Sequence, residues 1–109
     1  MATSESSYPA IDPLQADPKH LSLELENERV LVLRAKLGPK EKLPMIKFPA
    51  MMTVSLTDRD IKFTLPDGRT QRLFAKAGEA VWYDPRTSQA ENMSAHPYEG
   101  LLIMFKDSK

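Results

Sequence analysis

Few side chains in this sequence could bind a metal ion or act as a catalytic nucleophile. The chain has two histidines, His20 and His96, and neither has a second ligand at a spacing typical of metal sites. Cysteine is absent, which excludes thiolate ligands and disulfide bonds. Ser88 has no evident histidine and carboxylate with which to form a hydrolytic triad. We therefore expect a structural role for His20, a solvated loop position for His96, and no metal or other cofactor.

Short segments of alternating polarity, separated by turn residues, make up the chain from His20 onward. Leu21, Leu23 and Leu25 alternate with polar residues, as on a half-buried strand. Further strands are predicted over residues 30–37, 51–56, 61–65, 70–75, 80–83 and 98–105. Thr57 to Asp60 is predicted to be a turn, and Tyr83 is expected to end a strand and begin another turn. Strands at this spacing, without a helical period, predict an all-β sandwich or barrel.

Charge and length exclude several classes of protein. Fifteen basic and fifteen acidic residues give a net charge of zero, and no basic run suits a nucleic-acid partner. No apolar stretch approaches the ~20 residues of a membrane span. The N-terminus lacks the basic and apolar regions of a signal peptide, so we expect a cytoplasmic protein with no membrane partner.

The chain of 109 residues is long enough for one domain with a single core. The first residues, up to Pro18, are rich in Ser, Pro and Asp and contain too few apolar side chains to order themselves. We expect a flexible tail over residues 1–14 and a folded domain over residues 15–109. Ile11 and Leu14 are the tail residues that could dock on the domain.

A series of short motifs resembles small single-domain cupins across roughly residues 15–106. In order along the chain they are Asp17-Pro-Lys-His20, Leu25-Glu-Asn27, Gly38-Pro-Lys-Glu-Lys42, Leu56-Thr-Asp58, Phe63-Thr-Leu-Pro-Asp-Gly68, Ala77-Gly78 and Glu91-Asn92. The resemblance implies a cupin jelly roll, or double-stranded β-helix, in which two antiparallel sheets close around a central cavity. It also implies a homodimer, for which the strand of Leu21, Leu23 and Leu25 is the candidate edge, because open sheet edges need covering.

The same resemblance identifies three positions where the family carries metal-binding histidines. The paired histidines of the first motif correspond to Ile46 and Phe48, and the third histidine corresponds to Ser88. The asparagine that follows four residues later in the family is retained as Asn92. Imidazole suits Fe, Mn, Zn, Cu and Ni, whereas Ile and Phe donate nothing to a metal. The resemblance therefore implies that the metal site of the family is lost in this chain.

Loss of the histidines implies an apolar barrel interior. Ile46 and Phe48 share one strand face because strand side chains alternate, and the family geometry points both inward. Met52 and Val54 are their expected neighbours. A core that has filled in would produce this pattern, and so would engineered removal of the metal site, because all three positions differ while the surrounding motifs remain.

Two functions stay open. The preferred one is a metal-free barrel that is structural or binds a small apolar ligand, with the binding residues Ile46, Phe48, Met52, Val54, Ser88 and Asn92. The alternative is a metal-independent enzyme that uses a polar residue in the apolar cavity as a general base or nucleophile, because a desolvated pocket shifts the pKa of such a group. An ionisable side chain at the bottom of the cavity would favour the enzyme, and a filled or purely apolar cavity would favour binding or a structural role.

Overall fold

Strands dominate the part of the chain that the structure describes. The computed structural model describes residues 13–106, and the all-β prediction is confirmed. The elements are α1 (Pro13–Ala16), β1 (Leu21–Glu26), β2 (Val30–Leu37), β3 (Ile46–Phe48), β4 (Met51–Ser55), β5 (Arg59–Thr64), β6 (Thr70–Ala75), β7 (Ala80–Tyr83), β8 (Arg86–Asn92) and β9 (Tyr98–Phe105).

The strands form two antiparallel sheets. One has five strands in the order β1-β2-β9-β4-β7, and the other has four in the order β3-β8-β5-β6. Burial alternates along the strands, most regularly in β4, β5 and β9, because successive side chains point to opposite faces of a sheet. One face of each sheet therefore supplies the core between them.

The core is continuous and mostly aliphatic. In the five-stranded sheet, Leu102 lies opposite Leu33 on one side and Thr53 on the other, and these side chains form a buried row. The whole buried cluster comprises Leu21, Leu33, Ala35, Leu37, Leu43, Ile46, Phe48, Met51, Ile61, Phe63, Tyr83, Tyr98, Leu102 and Met104. Burying each of the larger side chains contributes about 1.5–3 kcal/mol relative to exposure.

The N-terminal boundary of the domain involves α1. Residues 1–12, most of the predicted tail, lie outside the described residues, and so does Ile11. Pro13 is buried and Leu14 packs against the core, in a four-residue helix that contacts β1 and β3. Within residues 13–106, no helix has the length and apolar character needed to cross a bilayer.

The beginning of β5 corrects one prediction. Arg59 and Asp60 were expected in a turn, but both belong to the strand and pair with Ala75 and Phe74. Local sequence favours a turn because Asp58, Arg59 and Asp60 are consecutive charged residues. The strand forms nevertheless, since Arg59 continues the inward alternation of Ile61 and Phe63.

Candidate functional site

The first region of interest contains the positions that correspond to the metal-binding histidines of the cupins that this sequence resembles. Ile46 and Phe48 are buried on β3, and Ile46 lies directly opposite buried Ser88 on β8. Asn92 follows on the same strand and is fully buried. We call this region the β3–β8 wall, and it comprises Ile46, Phe48, Ser88 and Asn92. The structure places Ile46 next to Ser88, whereas Asn92 lies four residues farther along the same face of β8.

Asn92 is occupied by hydrogen bonds to the backbone. Its Nδ2 donates to the carbonyl oxygens of Leu37, Gly38 and His96 at 3.1, 3.1 and 2.8 Å. Its Oδ1 accepts a hydrogen bond from the Ser94 amide at 3.0 Å. These bonds tie the end of β2 to the loop before β9. Asn92 therefore stabilises the fold, and its side chain is not free to contact a ligand.

Met52 and Val54 are placed differently from the prediction. Both lie on the opposite face of β4 from Met51 and Thr53, which point into the core. Met52 lies opposite Ile103 on one side and Trp82 on the other, on the outer face of the sheet. The prediction was wrong by one residue in the alternation, and a shift of one residue exchanges the faces of a strand.

The residues present do not fit a metal ion of the kind the family binds. Ile46 and Phe48 offer no donor atom, and Ser88 alone is a poor ligand for a divalent ion. Within residues 13–106, no group of three or more His, Asp or Glu side chains could hold a metal. His20 contacts two carboxylates, Asp17 at 2.8 Å through Nδ1 and Glu41 at 3.2 Å through Nε2, and this arrangement fits a structural role.

A small cavity lies in the interior between the sheets. Its volume is about 40 Å³. This space is far below the roughly 150 Å³ of a cavity that binds benzene, so it suits only a very small molecule. The lining residues are Ala35, Leu37, Leu43, Phe48, Met51, Thr53, Arg59, Ile61, Phe63, Ala90, Tyr98 and Leu102. The cavity is therefore apolar except for Thr53, Arg59 and Tyr98.

Arg59 places a guanidinium group in this interior. The residue is only 6% exposed. Its Nη1 donates to Thr53 Oγ1 and its Nη2 to the Tyr83 hydroxyl, both at 2.7 Å. Its Nε is buried without a hydrogen-bond partner, and it forms no ion pair with a carboxylate in the described part of the chain. We call the residues Thr53, Arg59, Tyr83 and Tyr98 the Arg59 cluster.

Aromatic rings surround the Arg59 guanidinium. Its central carbon lies 5.9, 5.8 and 5.7 Å from the ring centroids of Phe63, Tyr83 and Tyr98. A second guanidinium, of Arg86, lies 4.5 Å from Phe63 and 4.9 Å from Tyr83. Burial raises the pKa of Tyr83, and the two nearby guanidinium groups oppose that rise. The ring faces stabilise the cations, because each carries partial negative charge.

After the Arg59 Nε, the Tyr98 hydroxyl is a second polar group of the cavity-lining residues that lacks a hydrogen bond in the described part of the chain. Its oxygen is buried. Gly100 makes room for it, because a Cβ at that position would lie 1.9 Å from the Tyr98 oxygen. Ser55, directly opposite Gly100, also has a buried hydroxyl without a partner. Unpaired buried polar atoms are rare in folded proteins, so their concentration here marks the region as a candidate site.

A larger groove of about 640 Å³ lies at the surface. Its carboxylates are already engaged: Asp60 binds Arg72, Asp58 accepts from the Ala77 amide, and Glu79 accepts from the Lys76 amide. Arg59 also lines this groove. The interior side of Arg59 is the stronger candidate, because buried polar atoms without a hydrogen-bond partner among the described residues lie there.

Sequence reasoning missed the Arg59 cluster. A signal was present, since Arg59 stands two residues before Ile61 and four before Phe63 on an alternating strand. The run of charged residues hid it. Tyr83 ends β7 as predicted, but the turn role expected for it did not reveal that its ring is buried against Phe63, with centroids 5.7 Å apart.

Comparison with known proteins bears on the fold. No protein-family model matches this sequence, and no curated protein does. Solved structures match well. A cupin domain from Bordetella pertussis has a TM-score of 0.74 at 17% sequence identity, over 80% of this chain and 92% of its own.

Two further structures agree with this match. A Klebsiella pneumoniae protein with a double-stranded β-helix domain has a TM-score of 0.65 at 16% identity, over 95% of this chain and 88% of its own. An RmlC-like cupin family protein from Methanocaldococcus jannaschii has a TM-score of 0.62 at 17% identity, covering 82% and 83%. Similarity at these identities establishes the architecture and not the activity. The chain has the cupin-type double-stranded β-helix fold.

Proposed function

We propose that this protein is a metal-free barrel that binds a small molecule in its interior cavity. The observation that carries the proposal is the cavity of about 40 Å³, apolar on most sides and bordered by the three polar side chains of Thr53, Arg59 and Tyr98. Small-molecule sites commonly combine apolar walls with a few polar groups that fix orientation. The proposal applies equally to a natural or an engineered origin of the apolar β3–β8 wall.

Binding is better supported than catalysis. The cavity lining contains no carboxylate, imidazole or amine among the described residues. General acid–base catalysis relies mainly on those groups, and the Tyr98 phenol is the one proton-transferring group of the described lining. A single phenol provides no acid–base pair. Arg59 is ionisable, but a guanidinium serves as a hydrogen-bond donor and fixed charge and does not accept a proton. A binding role uses the groups that are present.

The test is a panel of probes matched to the cavity volume. Xenon, acetone, acetamide and acetate are each added at millimolar concentration, or under pressure for xenon, and thermal unfolding is recorded. A ligand at free concentration L that binds only the folded state stabilises it by RT ln(1 + L/Kd), so the melting temperature rises with ligand concentration. We expect at least one probe to bind, with NMR shifts confined to residues that line the cavity.

A filling variant provides the matched control. Ala35→Val adds volume to the cavity wall, whereas Ala80→Val adds the same volume on the exposed edge strand β7. We expect the first to abolish the thermal shifts and the second to preserve them. If no probe shifts the melting temperature of the parent protein, or if Ala35→Val leaves binding intact, the cavity is not the binding site.

We also propose that a second copy of the chain covers the outer face of the five-stranded sheet. One row across this face consists of Leu25, Val32, Ile103, Met52 and Trp82, which are neighbours in the strand register. Leu25 and Trp82 are 53% and 55% exposed. An apolar row of this width on a monomer surface is typical of an interaction site.

The charges on this face favour a second copy over a charged partner. Arg34 forms ion pairs with Glu24 and Glu99, so the charges at the border of the row neutralise one another. Two copies related by a two-fold axis would present the same patch to each other, as in most homodimers. Of the predicted pairing strand, Leu25 lies in the row and Leu21 is buried in the core. Leu23 is 51% exposed and lies opposite Leu33, outside the row.

Light scattering after size exclusion at micromolar concentration tests the dimer. We expect a dimer mass for the parent protein and a monomer mass for Trp82→Glu. Phe74→Glu is the matched control, since Phe74 is 69% exposed on the other sheet and should leave the dimer intact. A monomer mass for the parent protein would refute the proposal.

A further inference from the structure

We propose that the ligand of the interior cavity is a small planar oxyanion, a monocarboxylate of formate or acetate size, held by the Arg59 guanidinium. The inference rests on the proposed function, namely that the cavity binds a small molecule, and it specifies the chemical class of that molecule. It follows from charge, from hydrogen-bonding capacity and from volume.

The charge of Arg59 lacks a counter-ion in the described chain. A buried charge is costly unless it is paired and hydrogen-bonded. Two hydrogen bonds, to Thr53 and Tyr83, and three aromatic rings stabilise the guanidinium in part. Half-buried Arg86 adds a second positive charge beside the same Phe63 and Tyr83 rings. An anion in the adjacent cavity would complete the pairing.

The unpaired donors point to a carboxylate. The Arg59 Nε–H and the Tyr98 O–H are buried and have no hydrogen-bond partner within residues 13–106. Thr53 Oγ1 already accepts a hydrogen bond from Arg59, so its own hydrogen remains available to donate. Arg59, Tyr98 and Thr53 all line the cavity. Arginine binds planar carboxylates through two N–H groups more readily than lysine does, because its guanidinium is also planar.

The volume limits the size of the anion. The cavity, at about 40 Å³, is small, which restricts the ligand to anions of the smallest size, such as formate or acetate. Sulfate and phosphate are larger and tetrahedral, and they would need the cavity wall to move. Phe48 and Leu102 line the cavity as well, and they would receive the methyl group of acetate. An apolar wall opposite a guanidinium therefore favours acetate over a purely polar anion.

The experiment compares acetate with acetamide, which has nearly the same shape and no charge. Affinities come from isothermal titration and from thermal shift at constant ionic strength, with chloride and sulfate as further probes. We expect acetate to bind at least tenfold more tightly than acetamide, and neither chloride nor sulfate to compete at equal concentration. Equal affinities for acetate and acetamide would overturn the inference while leaving the proposed function intact.

Variants locate the preference. Arg59→Met should bring the affinity for acetate down to that for acetamide, because it removes the cation and keeps an apolar side chain of similar length. Arg72→Met is the matched control. Arg72 lies at the surface on the neighbouring strand β6, and its substitution lowers the net charge by the same amount as Arg59→Met. Retention of the acetate preference in Arg59→Met, or its loss in Arg72→Met, would overturn the inference.

A milder substitution covers the case in which Arg59→Met does not fold. Tyr98→Phe keeps the buried ring and removes the unpaired hydroxyl, and we expect it to weaken acetate binding about three- to tenfold, the loss of one hydrogen bond. An unchanged acetate affinity in a folded Tyr98→Phe would remove Tyr98 from the site and contradict the geometry. If xenon, acetamide and acetate all fail to bind the parent protein, the proposed function itself falls, and this outcome is distinct from a loss of anion preference.

Discussion

The β3–β8 wall and the Arg59 cluster both lie in the barrel interior, but their buried polar atoms differ in hydrogen bonding. Phe48 is the wall residue that lines the cavity. In the wall, the buried amide of Asn92 has three acceptors and one donor, all from the backbone. In the cluster, the Arg59 Nε and the Tyr98 hydroxyl have no hydrogen-bond partner in the part of the chain that the structure describes. A fully satisfied network rigidifies a fold, whereas unpaired donors keep a capacity to bind. The comparison assigns stability to the wall and recognition to the cluster.

The largest expected effect concerns the apolar part of the wall. Phe48→Ala should destabilise the protein by about 3–5 kcal/mol, because it removes a buried ring and leaves a cavity. Phe74→Ala is the control, since this ring is exposed and should cost within about 0.5 kcal/mol. Urea unfolding of both variants checks the contrast. Similar small losses would mean that Phe48 is not part of the core.

Phe48→Ala should also enlarge the cavity. A bulky aromatic probe that the parent protein excludes is then expected to bind and to raise the melting temperature of the variant. Apolar cavities of sufficient size bind such molecules without any designed contact. No response to benzene or toluene in a folded variant would argue that the wall collapses into the space.

The polar part of the wall should give the next largest effect. Asn92→Ala removes four hydrogen bonds and leaves their backbone partners unsatisfied, which is expected to cost about 2–4 kcal/mol. Asn27→Ala is the control, since exposed Asn27 accepts hydrogen bonds from the Arg29 and Val30 amides and should cost only about 1 kcal/mol. Equal losses in urea unfolding would contradict the structural role assigned to Asn92.

A third experiment asks whether the wall can be converted back to a metal site. The triple variant Ile46→His, Phe48→His and Ser88→His places three imidazoles on paired strands, with positions 46 and 88 directly opposite each other. A metal that binds only the folded state at 100 times its Kd stabilises by about 2.7 kcal/mol. We expect Ni²⁺ or Zn²⁺ to raise the melting temperature of the folded variant, as thermal unfolding would show.

The double variant Ile46→His and Phe48→His controls for metal binding to fewer ligands. It should respond far less than the triple variant. No metal-dependent shift in a folded triple variant would mean that these positions do not converge as the family resemblance implies.

The smallest effect concerns the pH dependence of the Arg59 cluster. Burial raises the pKa of the Tyr83 phenol above its ordinary value of about 10. Below that pH the phenol is neutral in both states, and its contribution to stability is fully present. Above it the unfolded chain ionises first, so stability is lost as the pH rises through the folded pKa. Tyr83→Phe lacks this loss, although it gives up the hydrogen bond from Arg59.

Unfolding free energies at pH 9 and pH 11 check this sign. We expect the parent protein to exceed Tyr83→Phe in stability at pH 9, and the difference to shrink at pH 11. A difference that stays constant or widens would show that the phenol is not desolvated as described. Comparing the two proteins removes the contributions of the other titrating groups that they share.

The sequence by itself determined the architecture and the relative orientation of residues close together on one strand. Short alternating segments and turns predict an all-β fold, which is confirmed. The two-residue period correctly placed Ile46 with Phe48, and Ser88 with Asn92, on shared faces. These properties are local, because side-chain alternation follows from the covalent geometry of an extended backbone.

Only the tertiary structure decided which face of each strand is the inner one and where β5 begins. On β4, the alternation of side chains alone would allow either Met52 and Val54 or Met51 and Thr53 to face inward. The pairing of β4 with β9 and β7 determines that Met51 and Thr53 do so. Arg59 looks like a turn residue in its local sequence, but the hydrogen-bond ladder from β5 to β6 extends the strand to it. Pairing between distant strands stabilises conformations that the local sequence does not predict. The Arg59 cluster therefore forms only when β4, β5, β7 and β9 are brought together.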